Sequence, residues 1–230
     1  MPSFFKSKSN PTSDFDRELL SQSLVGAQDM EDLIKKEKLI TDLKLTELRQ
    51  NPIKGNYDYE HLKAIHKELF KDVYVWAGMD RYSIGYRDVF RKGNTEFTHG
   101  ERLPEIADKL FDALKDENYF KDLNKEAMIK SLASFLNGIN ILHPFREGNG
   151  RTQRLFIEEL AKNAGYTLNL SNVSQNIMIQ ASILGAKGNI KGYEIILKDH
   201  LKNKPIKLSN EIKSTLGNKT KTATTRYRRR

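Results

Sequence analysis

Residues 143–154 read His-Pro-Phe-Arg-Glu-Gly-Asn-Gly-Arg-Thr-Gln-Arg, and the apolar positions that follow, Ile157, Leu160, Ala161 and Ala164, keep the three-four spacing of a helix before Gly165 stops it. A helix therefore begins near Asn149 to Arg151. Its first turn has amides without intrahelical partners and carries the positive end of the helix dipole, so Gly148-Asn149-Gly150 offers bare N–H groups to an anion. Arg151 and Arg154, three apart on one face, suit phosphate oxygens. Glu147 opposes bare phosphate unless a divalent cation lies between them. His143, at the other end of the stretch, is a base able to take a proton near neutrality.

Working outward, Lys125–Ile141 carries Met128, Ile129, Leu132, Phe135, Leu136 and Ile139 as one apolar stripe, which predicts a core helix that delivers His143 at its rigid end. Leu103–Leu114 predicts another, with Pro104 in its first turn. Tyr57–Phe70 is amphipathic, with Leu62, Ile65, Leu69 and Phe70 inward. Its His61 and His66 are five apart and do not share a face as ligands at i, i+4 would, so both are expected to be structural. Val73–Gly78, with the single Trp76, reads as a buried corner.

Residues 80–99 differ from their surroundings: Tyr82, Ile84, Tyr86, Val89 and Phe90 among Gly85, Gly93 and Asn94 predict a hairpin or flap, with Phe97 inward. Such a hairpin can accept a peptide along its unpaired edge, or simply cover the core. Residues 16–50 are helical, with Leu33, Ile34, Leu39, Ile40, Leu43 and Leu48 as the apolar set and Thr41-Asp42 as a possible cap for a second helix. After the central stretch come a connector at 166–170, a helix over Ser171–Leu184 built on Val173, Ile177 and Ala181, a loop spaced by Gly185, Gly188 and Gly192, and a helix over Tyr193–Leu201.

A chain of 230 residues and 26.5 kDa accommodates one catalytic domain with a full core. Without cysteine, disulfides and thiolate metal sites are excluded. No apolar run approaches the roughly 20 residues of a membrane span and the first residues lack a signal-peptide core, so a soluble protein is expected. The net charge is +9, but Lys202–Arg230 holds ten Lys and Arg against one acid, leaving 29 of each sign elsewhere. Basicity is thus a property of the tail, 202–230, and no nucleic-acid partner is expected except through it. Residues 1–16 read as a flexible arm and the tail as disordered, leaving a domain over 17–201 with its core in 55–200.

The central stretch does not fit other phosphate or hydrolytic motifs. A P-loop requires Gly-x-x-x-x-Gly-Lys-Ser/Thr after a strand, a zinc site requires three ligands, and a serine hydrolase requires its Gly-x-Ser-x-Gly elbow. Phosphate, cation and base together point to phosphoryl or nucleotidyl transfer to a hydroxyl.

All fixed positions of residues 143–154 match His-x-Phe-x-Asp/Glu-Gly-Asn-Gly-Arg-x-x-Arg, and the stretch resembles the signature of the Fic family. Similarity extends over about 55–200, through His-Leu-x-x-Ile-His-x-x-Leu-Phe at 61–70, the Val/Tyr-x-Trp-Ala-Gly turn at 74–78 and the flap ending at Phe97. The resemblance implies a mainly α fold, a Fic-type helical bundle with a β-hairpin flap over the active site. It implies protein adenylyltransfer: AMP passes from ATP to a Tyr, Ser or Thr hydroxyl of a target protein and pyrophosphate leaves. His143 would be the catalytic base, Phe145 the structural anchor and Glu147 the Mg2+ ligand. Gly148, Asn149 and Gly150 would bind the α- and β-phosphates, Arg151 the β-phosphate and Arg154 the γ-phosphate. Asn94, Thr95, Glu96 and Phe97 would dock the target; Arg146, at a variable position, has no catalytic part. Relatives that transfer UMP, phosphate or phosphocholine, and a catalytically inactive interaction domain, are the alternatives.

Family members are commonly restrained by a helix carrying Ser/Thr-x-x-x-Glu-Gly/Asn. Here Glu precedes Gly or Asn only at Glu117 and Glu147, and four residues earlier stand Ala113 and His143. The restraint is therefore expected from a small separate antitoxin, or is missing from an effector. The place of action follows as the bacterial cytoplasm or, through a type IV secretion system, a host cell.

Overall fold

The computed structural model describes residues 13–203. Eight α-helices dominate these residues: α1 Asp14–Ser21, α2 Met30–Gln50, α3 Tyr59–Phe70, α4 Leu103–Asp116, α5 Lys125–Leu142, α6 Asn149–Asn163, α7 Gln175–Ala186 and α8 Lys191–His200. Two short antiparallel pairs complete them, β1 Arg91–Lys92 with β2 Thr95–Glu96 and β3 Thr167–Leu168 with β4 Leu201–Lys202. The fold is mainly α with a hairpin flap, as expected.

The axis of the bundle is α6, the helix whose start the sequence places near Asn149. It is buried almost all round, from Asn149 through Leu155, Phe156, Ile157 and Leu160 to Ala161. A helix enclosed on every side lies inside the core rather than upon it. The inward faces of α3 and α5 pack against it, with Leu62, Ile65, Leu69, Leu132, Leu136 and Ile139 excluded from water. Phe156 meets Phe111 of α4 edge to face and stacks with Phe135 of α5, so three helices share one aromatic cluster.

Four expectations need correction. Residues 30–50 form one helix, and Thr41 lies buried within it rather than at a cap, its hydroxyl bonded back to the Glu37 carbonyl at 2.8 Å. On α2 the core side is Leu33 and Leu48, while Ile34, Leu39 and Leu43 face solvent. Gly185 and Gly192 belong to α7 and α8, not to a loop: a Cβ on Gly185 would strike Asn137 and come within 3.0 Å of Tyr193, and one on Gly192 would meet Ala181 at 3.1 Å. These glycines let helices approach, and only Gly188, at φ +87°, turns the chain. Finally, the first helix begins at Asp14, inside the stretch assigned to a flexible arm, because Ser13 and Asp16 form a reciprocal capping box.

At the other end Lys202, assigned to the tail, pairs with Thr167 in the β3–β4 ladder. The remaining arm, 1–12, and tail, 204–230, lie outside the described residues. Among the described residues no helix is long and apolar enough to cross a membrane.

Candidate active site

The last carbonyls of a helix lack intrahelical partners, and at the end of α5 each is taken by a group that builds the site. Ile139 O accepts from Gln153 Nε2 at 3.0 Å and from the His143 amide at 3.1 Å. Asn140 O faces His143 Nδ1 at 3.3 Å. Ile141 O accepts from the Thr98 amide and hydroxyl, at 3.0 and 3.1 Å. Leu142 O and His143 O go to the Arg81 guanidinium, at 3.2 and 2.9 Å. His143 itself caps α5 in the left-handed region, φ 45° and ψ 58°, which turns the chain back toward α6.

Because a carbonyl only accepts, Nδ1 of His143 carries the proton and Nε2 the lone pair. Nε2 is buried and has no hydrogen-bond partner. Burial, reinforced by the nearby Lys92, lowers the imidazole to about 3 against the opposing pull of Glu147. The ring is therefore neutral at physiological pH, with its basic nitrogen free.

Gly148 stands at φ +82° and starts α6 at Asn149, as the sequence predicts. The amides of Asn149, Gly150 and Arg151 precede the first intrahelical bond, Thr152 N to Gly148 O at 3.2 Å, and so form the anion cup. The Asn149 side chain turns inward: Oδ1 accepts from the Phe145 amide at 2.9 Å and Nδ2 donates to the Phe145 carbonyl at 2.6 Å. It shapes the loop and leaves anion contact to its backbone. Phe145 is fully buried and stacks on His66, ring centroids 3.8 Å apart. His66 in turn accepts from the Gly78 amide at 2.9 Å through Nδ1, so its Nε2–H donates to Glu147 O at 3.1 Å. Structural as expected, His66 nonetheless bears directly on the site, a link that its sequence position does not disclose.

The charged groups are arranged unequally. Arg151 is ion-paired with Glu37 of α2, donates to Thr41 Oγ1 at 2.9 Å and lies over the Phe70 ring at 4.8 Å. Tyr74 donates its hydroxyl to the same Glu37. By contrast, Arg154 makes no hydrogen bond or ion pair among the described residues, and its Nη1 lies back along Gly150. Of the two arginines, Arg154 is the one open to an incoming anion.

Glu147 accepts from the Gly148 amide at 2.9 Å and from Lys92 of the flap at 3.1 Å. Burial alone would raise its carboxyl, but Lys92, the Gly148 amide and Arg151 together bring it down to about 2. It is a firm anion already facing a cation. No cluster of three or more His, Cys, Asp or Glu that could hold a metal occurs among the described residues. One ionised carboxylate beside an anion cup suits Mg2+, which is held by one or two carboxylates plus substrate phosphates; the residues present fit that ion only together with a polyphosphate.

Over the site lies the flap. Arg91 pairs with Glu96 and Lys92 with Thr95 in the ladder, and Gly93-Asn94 makes the turn. Phe97 is buried and stacks on the His143 imidazole at 3.8 Å, so it covers the base, while Asn94, Thr95 and Glu96 form the outer edge. Arg146 is also placed: buried, it pairs with Glu18 and lies over the Phe15 ring at 4.1 Å, fastening α1 to the loop.

Two buried histidines predict a pH dependence of stability. Burial lowers His66 and His143 each to about 3 from an unfolded value of 6.5. Below about pH 6.5 the unfolded chain binds protons that the folded chain refuses, so stability is complete above 6.5 and is lost toward 3. Each histidine contributes a slope of at most about 1.4 kcal/mol per pH unit. Glu147 acts in a lower window, between its ordinary 4.5 and about 2. Urea midpoints measured from pH 8 to 5 should be level above 7 and fall below 6.5; level midpoints throughout would contradict this burial.

A sequence profile of the Fic/DOC family matches residues 56–161. The protein adenylyltransferase VbhT of Bartonella schoenbuchensis is 35% identical over 167 residues, 73% of this chain and 34% of that protein. The chain thus spans about a third of the length of that relative. A Sinorhizobium fredii protein, named "Probable protein adenylyltransferase y4lH", is 34% identical over 165 residues, covering 70% of this chain and 81% of its own length. Among solved structures, the VirB-translocated effector BepC of Bartonella tribocorum, with bound AMPPNP, superposes with a TM-score of 0.74 at 25% identity over 80% of this chain and 93% of its own.

Proposed function

The chain belongs to the Fic/DOC family, and on that premise we propose that it is a protein adenylyltransferase that moves AMP from ATP to a Tyr, Ser or Thr hydroxyl of a target protein. The observation that carries this reading is the unpartnered, lone-pair-bearing His143 Nε2 beside the free amides at the start of α6. A base and an anion cup side by side serve attack of a hydroxyl on a phosphate.

In the proposed reaction His143 Nε2 takes the proton of the target hydroxyl as its oxygen bonds to the α-phosphorus. The bond to the β-phosphate bridging oxygen breaks, and pyrophosphate leaves. The amides of Asn149, Gly150 and Arg151 stand ready where negative charge grows, without reorganising. Arg154 receives the γ-phosphate, and Arg151 supplies positive charge to the β-phosphate from its fixed place against Glu37. Glu147 would hold Mg2+, which supplies charge neutralisation on the polyphosphate. The flap edge at Asn94–Glu96 docks the target chain, with Phe97 as the lid on the base.

The open Arg154 also suits a partner: a small antitoxin whose glutamate enters the same place would restrain the enzyme. The setting is the bacterial cytoplasm or a host cell reached through a type IV secretion system, the latter in keeping with the VirB-translocated BepC.

Incubating bacterial and host lysates with ATP labelled at the α- or γ-phosphate tests the reading. Label from the α position should appear on a protein, and Arg154→Met should weaken ATP binding by about 10- to 100-fold, the worth of one charged hydrogen-bonding group. Transfer of γ-label alone would indicate a phosphotransferase, transfer only from UTP or CDP-choline another donor, and no transfer from any donor a binding domain.

A further inference from the structure

Arg81 lies 62 residues before His143 and outside the signature, yet it closes the backbone accounting of the site. Its Nε donates to His143 O at 2.9 Å, and its Nη2 to Leu142 O at 3.2 Å and to Thr98 O at 2.6 Å. Its own amide donates to Pro144 O at 2.7 Å. One residue therefore takes three successive carbonyls, 142–144, and the carbonyl of the residue that follows Phe97 out of the flap.

The side chain is fully buried and forms no ion pair among the described residues, while its guanidinium lies over the Phe90 ring at 5.3 Å and the Tyr86 ring at 5.9 Å. Burial lowers it to about 10, which still leaves it charged at neutral pH. Its compensation comes from carbonyls and from the negative end of α5. Such an arrangement needs a planar fork with several donors in fixed directions; a lysine ammonium cannot span it.

We propose that Arg81 is a positioning residue that holds the base His143 and the flap in one fixed relation, so that a hydroxyl presented along the flap meets Nε2. The proposal rests on the adenylyltransferase reading for its chemistry, but its geometry can be tested apart from it. Water needs no flap to reach the site, whereas a protein target does. Loss of the fork should therefore separate transfer to protein from hydrolysis of ATP.

In full-length Arg81→Lys, transfer to protein should fall by about 30-fold or more and hydrolysis of ATP by less than about 3-fold, since an ångström of misplacement costs on the order of 100-fold in an oriented reaction. Affinity for ATP should stay within about twofold, because the cup is built on α6. Amide hydrogen exchange supplies the readout that requires no activity: the amides of Phe97, Thr98 and His143 should exchange about 10-fold faster while those of Leu155–Ala161 do not change. Equal losses of transfer and hydrolysis, unchanged exchange at the flap, or faster exchange throughout the chain would each overturn the proposal, the last by making Arg81 a folding residue. A wild-type protein that transfers no AMP would sink the adenylyltransferase reading, and the exchange pattern would still judge Arg81.

Discussion

Replacing His143 with Asn is expected to lower AMP transfer by about 10²- to 10⁴-fold, the usual contribution of a positioned general base, while ATP affinity and fold are retained. Asn is the informative substitution because position 143 stands at φ 45°, and Asn is among the few residues that enter the left-handed region readily. Alanine would add backbone strain to the loss of the base. An Asn side chain also keeps a polar group near Asn140 O, but offers no basic nitrogen in place of Nε2. Initial rates with α-labelled ATP, together with a binding isotherm for fluorescent ATP, separate the two effects. A fall in rate of less than about tenfold would show that another group removes the proton.

Gly148→Ala is expected to cost about 2–5 kcal/mol of stability and to abolish nucleotide binding. Two terms add up: about 1–2 kcal/mol for a Cβ in the left-handed region and about 1–3 kcal/mol for overpacking. The Cβ would fall against Cζ and Cε2 of Phe70, with Cε1 at 3.0 Å. That ring has no way out, being fully buried, stacked on His66 at 4.7 Å and covered by the Arg151 guanidinium. Relief must come from the loop, and moving Gly148 displaces the amides behind it. At roughly 2–4 °C per kcal/mol for a chain of this size, calorimetry should show a drop in Tm of roughly 5–15 °C. A variant that melts within about 2 °C of wild type and binds ATP normally would mean that the cup is more plastic than its packing indicates.

The start of α6, the apolar faces of α3 and α5, the proline-led α4 and the presence of a hairpin within 80–99 were legible locally, because each rests on interactions among residues three to five apart. Where contacts reach further along the chain, local patterns mislead or are silent. Thr41 has the chemistry of a cap, and only the Arg151 guanidinium, 110 residues away, shows why it is buried mid-helix. Gly185 and Gly192 look like loop glycines until α7 and α8 are seen packed against each other. Glu37, Arg81 and Lys92 carry no motif of their own. A lone arginine after Trp-Ala-Gly-Met-Asp was the nearest thing to a signal for Arg81, and it names no partner.

Residues 143–154 by themselves determined the chemistry: a base, a carboxylate, bare amides at a helix start and two arginines, all set by residue type and by the hydrogen-bond period of one turn. Only the tertiary structure decided their states. It is burial beneath Phe97 that makes His143 neutral, Glu37 that occupies Arg151 while Arg154 stays open, and Arg81 that ties the base to the flap. The division follows from the range of the forces. Backbone geometry is decided within a turn of chain, whereas desolvation and ion pairing depend on whatever the fold brings within a few ångströms, here from 17 to 114 residues away.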